Sequence, residues 1–322
     1  MRLPTRLDRY PAKMVSRLAD GLIDRYAYGA TRLLDPFCGS GAILVAANRV
    51  GIPVTGIDLN PIAALFSRVK LKGFSVDRAK KLAEQLVYLA RSTDKSLPID
   101  WEGKTYWFTD SALEKYERLR AAAIQLELKS SNEGMAVLLS LCLSVRLCSR
   151  ADQRSPKPFI SKEAVRARKG RHFDPYGTLR DLLQDLGTVY GPSRAVATSR
   201  FLLGDLAADE SLSERIAKHS HVITSPPYIN AQDYFRNFKL ELYVLEGLLP
   251  FTVDKLRERF IGTERGDLMA NIPEAIIRQN FATIPKLITL SSRSPRLASV
   301  VHRYLYDMNR AFDTINWSGP RF

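Results

Sequence analysis

Residues 31–72 contain the pattern that most restricts how this chain can fold. A short apolar run ends in Asp35 and is followed by a turn rich in glycine and proline and then by an apolar, helix-like stretch. A second apolar run ends in Asp58, and Asn60 and Pro61 then supply an N-cap and a first helical residue. This order predicts a βαβα unit with a parallel, doubly wound sheet.

Beyond this unit the pattern changes and later returns. Residues 74–195 show mainly helical periodicity, and strand-like runs resume at 200–203 and 221–224. The simplest interpretation is one α/β domain, made of residues 1–73 and 196–322, that binds the cofactor and catalyses the reaction. Residues 74–195 then form a helical, basic insertion subdomain. Within it, helices are predicted at residues 76–91, 112–128, 135–148 and 179–186.

Two more helices are predicted after the last strand-like run. The first covers residues 230–247 and stops at Gly247, and the second covers residues 297–315 near the end of the sequence. Residues 248–295 show no clear pattern. Since doubly wound sheets usually have more than four strands, two expectations stay open: either the chain is C-terminally incomplete, or its sheet is completed in a different way.

The charge of the chain favours an anionic partner. The 322 residues include 48 Lys and Arg against 34 Asp and Glu, a net charge of +14, which attracts polyanions such as nucleic acids. The basic residues are concentrated in one segment: Arg146, Arg150, Arg154, Lys157, Lys162, Arg166, Arg168, Lys169 and Arg171. A second, sparser cluster consists of Lys286, Arg293, Arg296 and Arg303.

Other classes of protein are disfavoured by composition. No apolar run approaches the length of a membrane span, and the first residues lack the apolar region of a signal peptide. Cys38, Cys142 and Cys148 are too few and too scattered for a disulfide framework, and with four histidines they offer no metal-ligand spacing. We therefore expect a cytoplasmic protein without a metal.

The glycine-containing turn, DPFCGSG, predicts a nucleoside site. Glycines after a parallel strand let a ligand approach the backbone, and an acid at the end of the next strand, here Asp58, can bind both hydroxyls of a ribose. Leu44 replaces the third glycine of the dinucleotide fingerprint, and no Gly-Lys-Ser/Thr follows as in a phosphate-binding loop. A nucleoside cofactor without a pyrophosphate remains, and S-adenosyl-L-methionine fits this description.

The sequence Thr224-Ser225-Pro226-Pro227-Tyr228 predicts an amine-binding loop at the end of a strand. The two prolines remove two amide donors, so the loop offers acceptors, chiefly the Pro226 carbonyl and the Ser225 hydroxyl. Such acceptors can hold the hydrogens of a nucleobase amine while Tyr228 stacks on the base. The competing interpretation is that the prolines end a strand and Tyr228 packs in the core.

Taken in order, DPFCGSG, GIDLNP, FLLGD and TSPPY resemble the motifs of S-adenosylmethionine-dependent DNA methyltransferases that modify exocyclic amines. The segment Arg9–Met14, RYPAKM, is similar to an N-terminal element that lies beside the cofactor in that family. The resemblance implies a Rossmann-like methyltransferase sheet, and the serine of TSPPY is typical of N4-cytosine enzymes. In the family, a strand and a hairpin follow the terminal helix, and neither is recognisable here.

The resemblance also implies roles for individual residues and for partners. Asp35, Phe37, Gly39 and Gly41 would line the methionine end of the cofactor, Asp58 would bind its ribose, Asp205 its adenine amine, and Lys13 is a further cofactor candidate. Ser225, Pro226, Pro227 and Tyr228 would form the catalytic target-base pocket, which takes a base flipped out of the duplex. Double-stranded DNA is the implied substrate, and a cognate restriction endonuclease is a candidate partner.

Two alternatives stay open on sequence grounds. DPFCGSG also occurs in RNA guanine-N2 methyltransferases, although those enzymes usually have NPPYG where this chain has SPPY. The other alternative is a truncated remnant that binds nucleic acid without catalysing a reaction.

Overall fold

The computed structural model describes residues 7, 10, 13–155, 157–167, 173–191, 196, 198–216, 218–229, 234–264 and 266–315. In this part of the chain a parallel sheet is enclosed by helices, which confirms the predicted α/β fold class. No helix of the described ranges combines the length and apolar character that a membrane span requires.

Four strands form the sheet, and all of them pair in parallel. They are β1 (Leu33–Asp35), β2 (Val54–Asp58), β3 (Arg200–Leu203) and β4 (His221–Val222). Their order is β3-β2-β1-β4, so β1 pairs with both β2 and β4. Strands β2 and β3 therefore lie on one side of β1, and β4 lies on the other side, so the topological switch point is between β1 and β4. Ligands of doubly wound folds bind beside this point, at the carboxyl ends of the strands.

Sixteen helices are found among the described residues. They are α1 (Ser16–Tyr26), α2 (Ala42–Arg49), α3 (Pro61–Lys72), α4 (Val76–Ser92), α5 (Lys104–Trp107), α6 (Asp110–Gln125), α7 (Asn132–Leu147), α8 (Lys162–Ala167), α9 (Pro175–Tyr190), α10 (Ser211–Arg215), α11 (Tyr234–Asn237), α12 (Lys239–Leu245), α13 (Val253–Arg257), α14 (Glu274–Thr283), α15 (Lys286–Arg293) and α16 (Pro295–Ile315). The predicted N-cap of α3 is confirmed, because the Asn60 side chain accepts a hydrogen bond from the Ile62 amide at 3.0 Å.

The sheet is covered on both faces because its buried side chains alternate. Leu33 joins a core cluster with residues of α1 and α2, whereas its neighbour Leu34 joins a second cluster with residues of α10 and α16. The side chains of consecutive strand residues point to opposite faces, so each strand serves both clusters. The near-terminal helix α16 thus completes the layer on the second face.

The described residues between 74 and 195 are helical wherever they have regular structure, in agreement with their periodicity. The central helix of this region, α7, packs against α3, α9 and α12. One apolar cluster runs through these helices, so the insertion shares its core with elements on both sides of it in sequence. Whether residues 74–195 act as a separate subdomain stays a prediction.

The structure differs from the prediction after β4. We predicted one helix over residues 230–247, but α11 ends at Asn237 and α12 begins at Lys239, while residues 230–233 lie outside the described ranges. The buried Arg146 side chain donates a hydrogen bond to the Asn237 carbonyl at 2.8 Å. This bond occupies an acceptor that a continuous helix would pair with a backbone amide of its next turn. The stop at Gly247 is confirmed, since this residue has a φ of 81°.

Gly134 and Gly21 provide a matched test of helix packing. A Cβ at Gly134 in α7 would lie 1.9 Å from the Leu128 carbonyl oxygen, whereas one at Gly21 in α1 would meet no atom within 4 Å. We expect Gly134→Ala to lower the free energy of unfolding by about 1–3 kcal/mol, because the backbone must move. Gly21→Ala should raise it by about 0.5–1 kcal/mol, because alanine favours the helix.

Urea denaturation followed by circular dichroism measures both changes. A Gly134→Ala protein as stable as the unsubstituted chain would show that this helix start is not tightly packed against the preceding turn.

Candidate active site

A cleft enclosing about 940 Å³, part of it open to solvent, lies at the carboxyl edge of the sheet. The loops after all four strands contribute to its lining. The residues predicted for the site that line this cleft are Lys13, Asp35, Phe37, Gly39, Asp58, Asp205, Ser225, Pro227 and Tyr228. Two residues of the prediction, Gly41 and Pro226, are not among its lining residues. The DPFCGSG and TSPPY motifs, which are far apart in the sequence, therefore face one cavity.

The glycines of the first loop have different environments. Gly39 lines the cleft with a φ of 48°, and a Cβ added to it would lie 3.2 Å from the Tyr10 ring. Gly41, with a φ of 81°, is the N-cap of α2, and a Cβ there would lie 2.8 Å from the Ser67 hydroxyl of α3. Gly41 thus allows α2 and α3 to approach each other, while Gly39 leaves space beside the cavity.

Asp58 organises the first loop from the end of β2. Its Oδ2 accepts a hydrogen bond from the Gly39 amide and its Oδ1 accepts one from the Asn60 amide, each at 2.8 Å. A carboxylate has about four lone-pair positions, so each oxygen can still accept another donor. Burial raises the pKa of Asp58 to about 6, against the lowering effect of these backbone hydrogen bonds.

Asp35 links the ends of β1 and β4. The Thr224 hydroxyl donates to its Oδ1 at 2.7 Å, and the Phe37 amide donates to the same oxygen at 3.3 Å. The side chain is buried, and desolvation raises the pKa of Asp35 to about 7, with a smaller contribution from the charge of Asp58. An additional positive group in the cleft would favour the ionised form.

Arg259, which no sequence motif indicated, lies opposite Asp205. Its Nε donates to Asp205 Oδ2 at 2.9 Å, while the Ala207 amide donates to Oδ1 at 3.0 Å. Asp205 is buried, and Arg259 is partly exposed at the cleft together with Phe260 and Ile261. No sequence signal distinguished these residues, because they follow a short helix in the segment without clear periodicity.

The TSPPY loop forms the opposite wall. The Tyr228 side chain is 51% exposed, so it is not packed in the core as the competing interpretation required. Tyr304 of α16 donates a hydrogen bond to the Pro227 carbonyl at 2.9 Å, and Tyr234 also lines this end of the cleft. An aromatic, partly exposed wall is suited to stacking on a planar ligand.

The N-terminal element is described only in part, since Arg9, Pro11 and Ala12 lie outside the described residues. Tyr10 is buried and its ring makes an edge contact with Phe66, with 5.8 Å between ring centres. Lys13 lines the cleft, and desolvation lowers its pKa. Within the described residues, no group of His, Cys, Asp and Glu side chains is arranged to hold a metal ion.

Several arginines of the predicted basic segment are used within the protein. Arg146 is buried, donates to the Asn237 and Ser155 carbonyls, and lies 3.6 Å from the Glu241 carboxylate. Arg150 donates to the Thr105 carbonyl. These arginines therefore stabilise the helical layer, and their positions do not support a direct contact with an anionic partner.

The remaining basic residues of the segment divide into three groups. Arg154 pairs with Asp152 at 2.6 Å and with Glu163 at 2.7 Å. The exposed ones are Lys157, Lys162 and Arg166. Those outside the described residues are Arg168, Lys169 and Arg171. The exposed lysines and arginine are thus the described candidates of this segment for contact with an anionic partner.

Comparison with known proteins links the site to methyl transfer. Residues 4–95, which contain the first loop and Asp58, match the UPF0020 family described as "RMKL-like, methyltransferase domain". The chain is 28% identical over 272 residues to the type II methyltransferase M.BsoBI of Geobacillus stearothermophilus, and this alignment covers 74% of the chain. It is 29% identical over 109 residues (34% of the chain) to the type II methyltransferase M.MjaII of Methanocaldococcus jannaschii. It is also 27% identical over 117 residues (32% of the chain) to the type II methyltransferase M.MvaI of Kocuria varians.

These matches are partial on both sides. The chain spans 52% of the length of M.BsoBI, 20% of M.MjaII and 26% of M.MvaI. No solved structure matches the chain. The resemblance indicated by the motifs is nevertheless confirmed: residues 4–95 match a methyltransferase domain family, and the chain is similar to type II methyltransferases.

Proposed function

We propose that this chain transfers a methyl group from S-adenosyl-L-methionine to an exocyclic amine of a base in double-stranded DNA, with the N4 amine of cytosine as the favoured target. The observation that carries the proposal is that the Gly39 loop and the Ser225–Tyr228 loop line one cleft. A donor seated on the first loop and a base seated on the second would be neighbours. The related type II methyltransferases support the same class of reaction.

The described residues fit S-adenosyl-L-methionine. Asp58 has unused acceptor positions on both oxygens, as the two hydroxyls of a ribose require. Asp35 lies at the end of β1 with a buried carboxylate that can pair with the ammonium of the methionine part. Asp205, oriented by the hydrogen bond from Arg259, would accept from the adenine amine. When bound, the cofactor supplies a methyl group made electrophilic by its sulfonium.

The second loop would prepare the amine to attack. The Ser225 hydroxyl and the Pro226 carbonyl would accept the two amine hydrogens, which localises the nitrogen lone pair toward the methyl carbon. The donor would supply the methyl group and would keep the electron pair of its carbon–sulfur bond as the amine takes the methyl. The nitrogen then loses a proton to solvent. Tyr228 would stack on the flipped base and offset part of the cost of unstacking it.

The surrounding parts of the chain receive roles in the same proposal. Residues 74–195, treated as an insertion subdomain, would contact the duplex through exposed cations such as Lys157, Lys162 and Arg166. A cognate restriction endonuclease would be the functional partner, which would cleave the sites that this enzyme leaves unmethylated.

Substitution of Asp58 tests the donor site. We expect Asp58→Asn to weaken binding of S-adenosyl-L-methionine roughly 10- to 100-fold, because an ionised acceptor of the ribose is lost. Isothermal titration calorimetry measures the dissociation constant, and Asp24→Asn on the exposed surface of α1 is the matched control. If the unsubstituted protein gave no heat of binding, the non-catalytic alternative would be favoured instead.

Donor binding should depend on pH, because burial raises the pKa of Asp35 to about 7 and that of Asp58 to about 6. Near neutral pH the folded protein without donor therefore carries a proton on Asp35 in about half of the molecules and on Asp58 in a smaller fraction, and these protons must be released to bind a cationic ligand. Lowering the pH from about 7.5 to about 6 should therefore weaken donor binding roughly tenfold.

Calorimetry in buffers of different ionisation enthalpy would detect the released protons. The Asp35→Asn variant should bind weakly and show a flatter pH profile above about pH 6.5. Equal affinity of the unsubstituted protein at both pH values would contradict the assigned role of Asp35.

The Ser225→Ala variant tests the target loop and the reaction together. We expect turnover to fall roughly 10- to 100-fold while donor affinity changes little, because the lost acceptor serves the amine. A labelled-methyl assay on mixed-sequence duplex DNA, followed by nucleoside analysis, identifies the product, and Ser213→Ala on exposed α10 is the control. An equal loss of turnover and donor affinity would contradict this role.

The same assay separates the alternatives. Cytosine methylated at N4 in duplex DNA would support the proposal. Methylated adenine would show instead that the target is the adenine amine. Product formed only on transfer RNA would support the RNA methyltransferase alternative.

A further inference from the structure

The peptide group between Pro227 and Tyr228 is held by a side chain from a helix distant in sequence. Its carbonyl accepts the hydrogen bond from the Tyr304 hydroxyl at 2.9 Å, across 77 positions of the sequence. A tyrosine hydroxyl of α16 therefore fixes the direction of this carbonyl, and with it the plane of the peptide group.

The loop has few other ways to fix that plane. Pro226 and Pro227 lack amide hydrogens, so neither residue can donate a backbone hydrogen bond. The Tyr228 side chain is 51% exposed, so core packing holds it only in part. Since the peptide plane helps to set the direction of the following Cα–Cβ bond, the orientation of the Tyr228 ring depends on the contact to the Pro227 carbonyl.

Tyr304 is itself held on a rigid support. Its helix, α16, buries Ala311 and Ile315 against the sheet, in the cluster that also contains Leu34. Near the end of the helix, the Thr314 hydroxyl donates to the Leu206 carbonyl at 2.9 Å, in the loop that carries Asp205. One helix therefore connects the TSPPY loop to the loop on the proposed adenine side of the cleft.

We propose that Tyr304 is a positioning residue for methyl transfer, which sets the Tyr228 ring for stacking on the target base by holding the Pro227 carbonyl. The inference rests on the proposed function and deepens it, because it assigns to the C-terminal helix a part in presenting the base. Tyr304 acts through the backbone of the loop.

The Tyr304→Phe variant removes the hydroxyl and keeps the ring. We expect kcat on duplex DNA to fall roughly three- to tenfold, the loss of one hydrogen bond, with the dissociation constant of the donor unchanged. Tyr306→Phe, a tyrosine two positions further along the same helix, is the matched control and should keep the kcat of the unsubstituted protein. Thr314→Val loosens the other end of α16 and should lower the melting temperature more than kcat.

Hydrogen exchange provides a readout that does not require turnover. In Tyr304→Phe, but not in Tyr306→Phe, the peptide containing the Tyr228 amide should exchange faster, because its neighbouring carbonyl is released. Unchanged exchange and unchanged kcat in Tyr304→Phe would overturn the inference. It would also be overturned if Tyr304→Phe and Thr314→Val lowered both kcat and the melting temperature by the same amounts, because the effect of Tyr304 would then be one of stability alone. If the unsubstituted protein transfers no methyl group, the proposed function fails, whereas the exchange measurement still decides whether Tyr304 holds the loop.

Discussion

The hydrogen bond from the Thr224 hydroxyl to the Asp35 carboxylate joins the two strand ends on which the whole site depends. β1 and β4 are short and pair in parallel, so their carboxyl ends already lie at one edge of the sheet. The side-chain bond adds a link of 2.7 Å between the glycine loop and the TSPPY loop. Because Asp35 is buried, this bond is shielded from water and is worth more than the same contact at the surface.

A sheet this small needs support from outside its own hydrogen bonds. The support comes from α16 on one face and from α1 and α2 on the other, while α3 connects the sheet to the helical layer. The buried pair of Arg146 on α7 and Glu241 on α12 connects that layer to the segment after the TSPPY loop. The helices predicted as an insertion thus help to hold elements that surround the cleft.

Much of the fold followed from local patterns. The strands were predicted from short apolar runs, and α2, α3 and most of the helices between residues 74 and 195 from helical patterns, and neither signal depends on distant contacts. The break between α11 and α12 could not be predicted in this way, since the acceptor role of the Asn237 carbonyl depends on an arginine from α7. Helix α1, too, lay outside the sequence prediction, although apolar residues line one side of it.

In the candidate site, the sequence by itself determined the chemical types: glycines and acids after two strands, and a proline-rich, acceptor-bearing loop after the last. Each of these motifs is short and contiguous, so its chemistry can be inferred from the sequence without the tertiary structure. Only the tertiary structure decided which groups meet across the cleft, and it added Arg259 opposite Asp205 and Tyr304 beside Pro227. The physical reason is that hydrogen bonds between distant segments depend on how helices pack on the sheet, and packing is decided by the whole core at once.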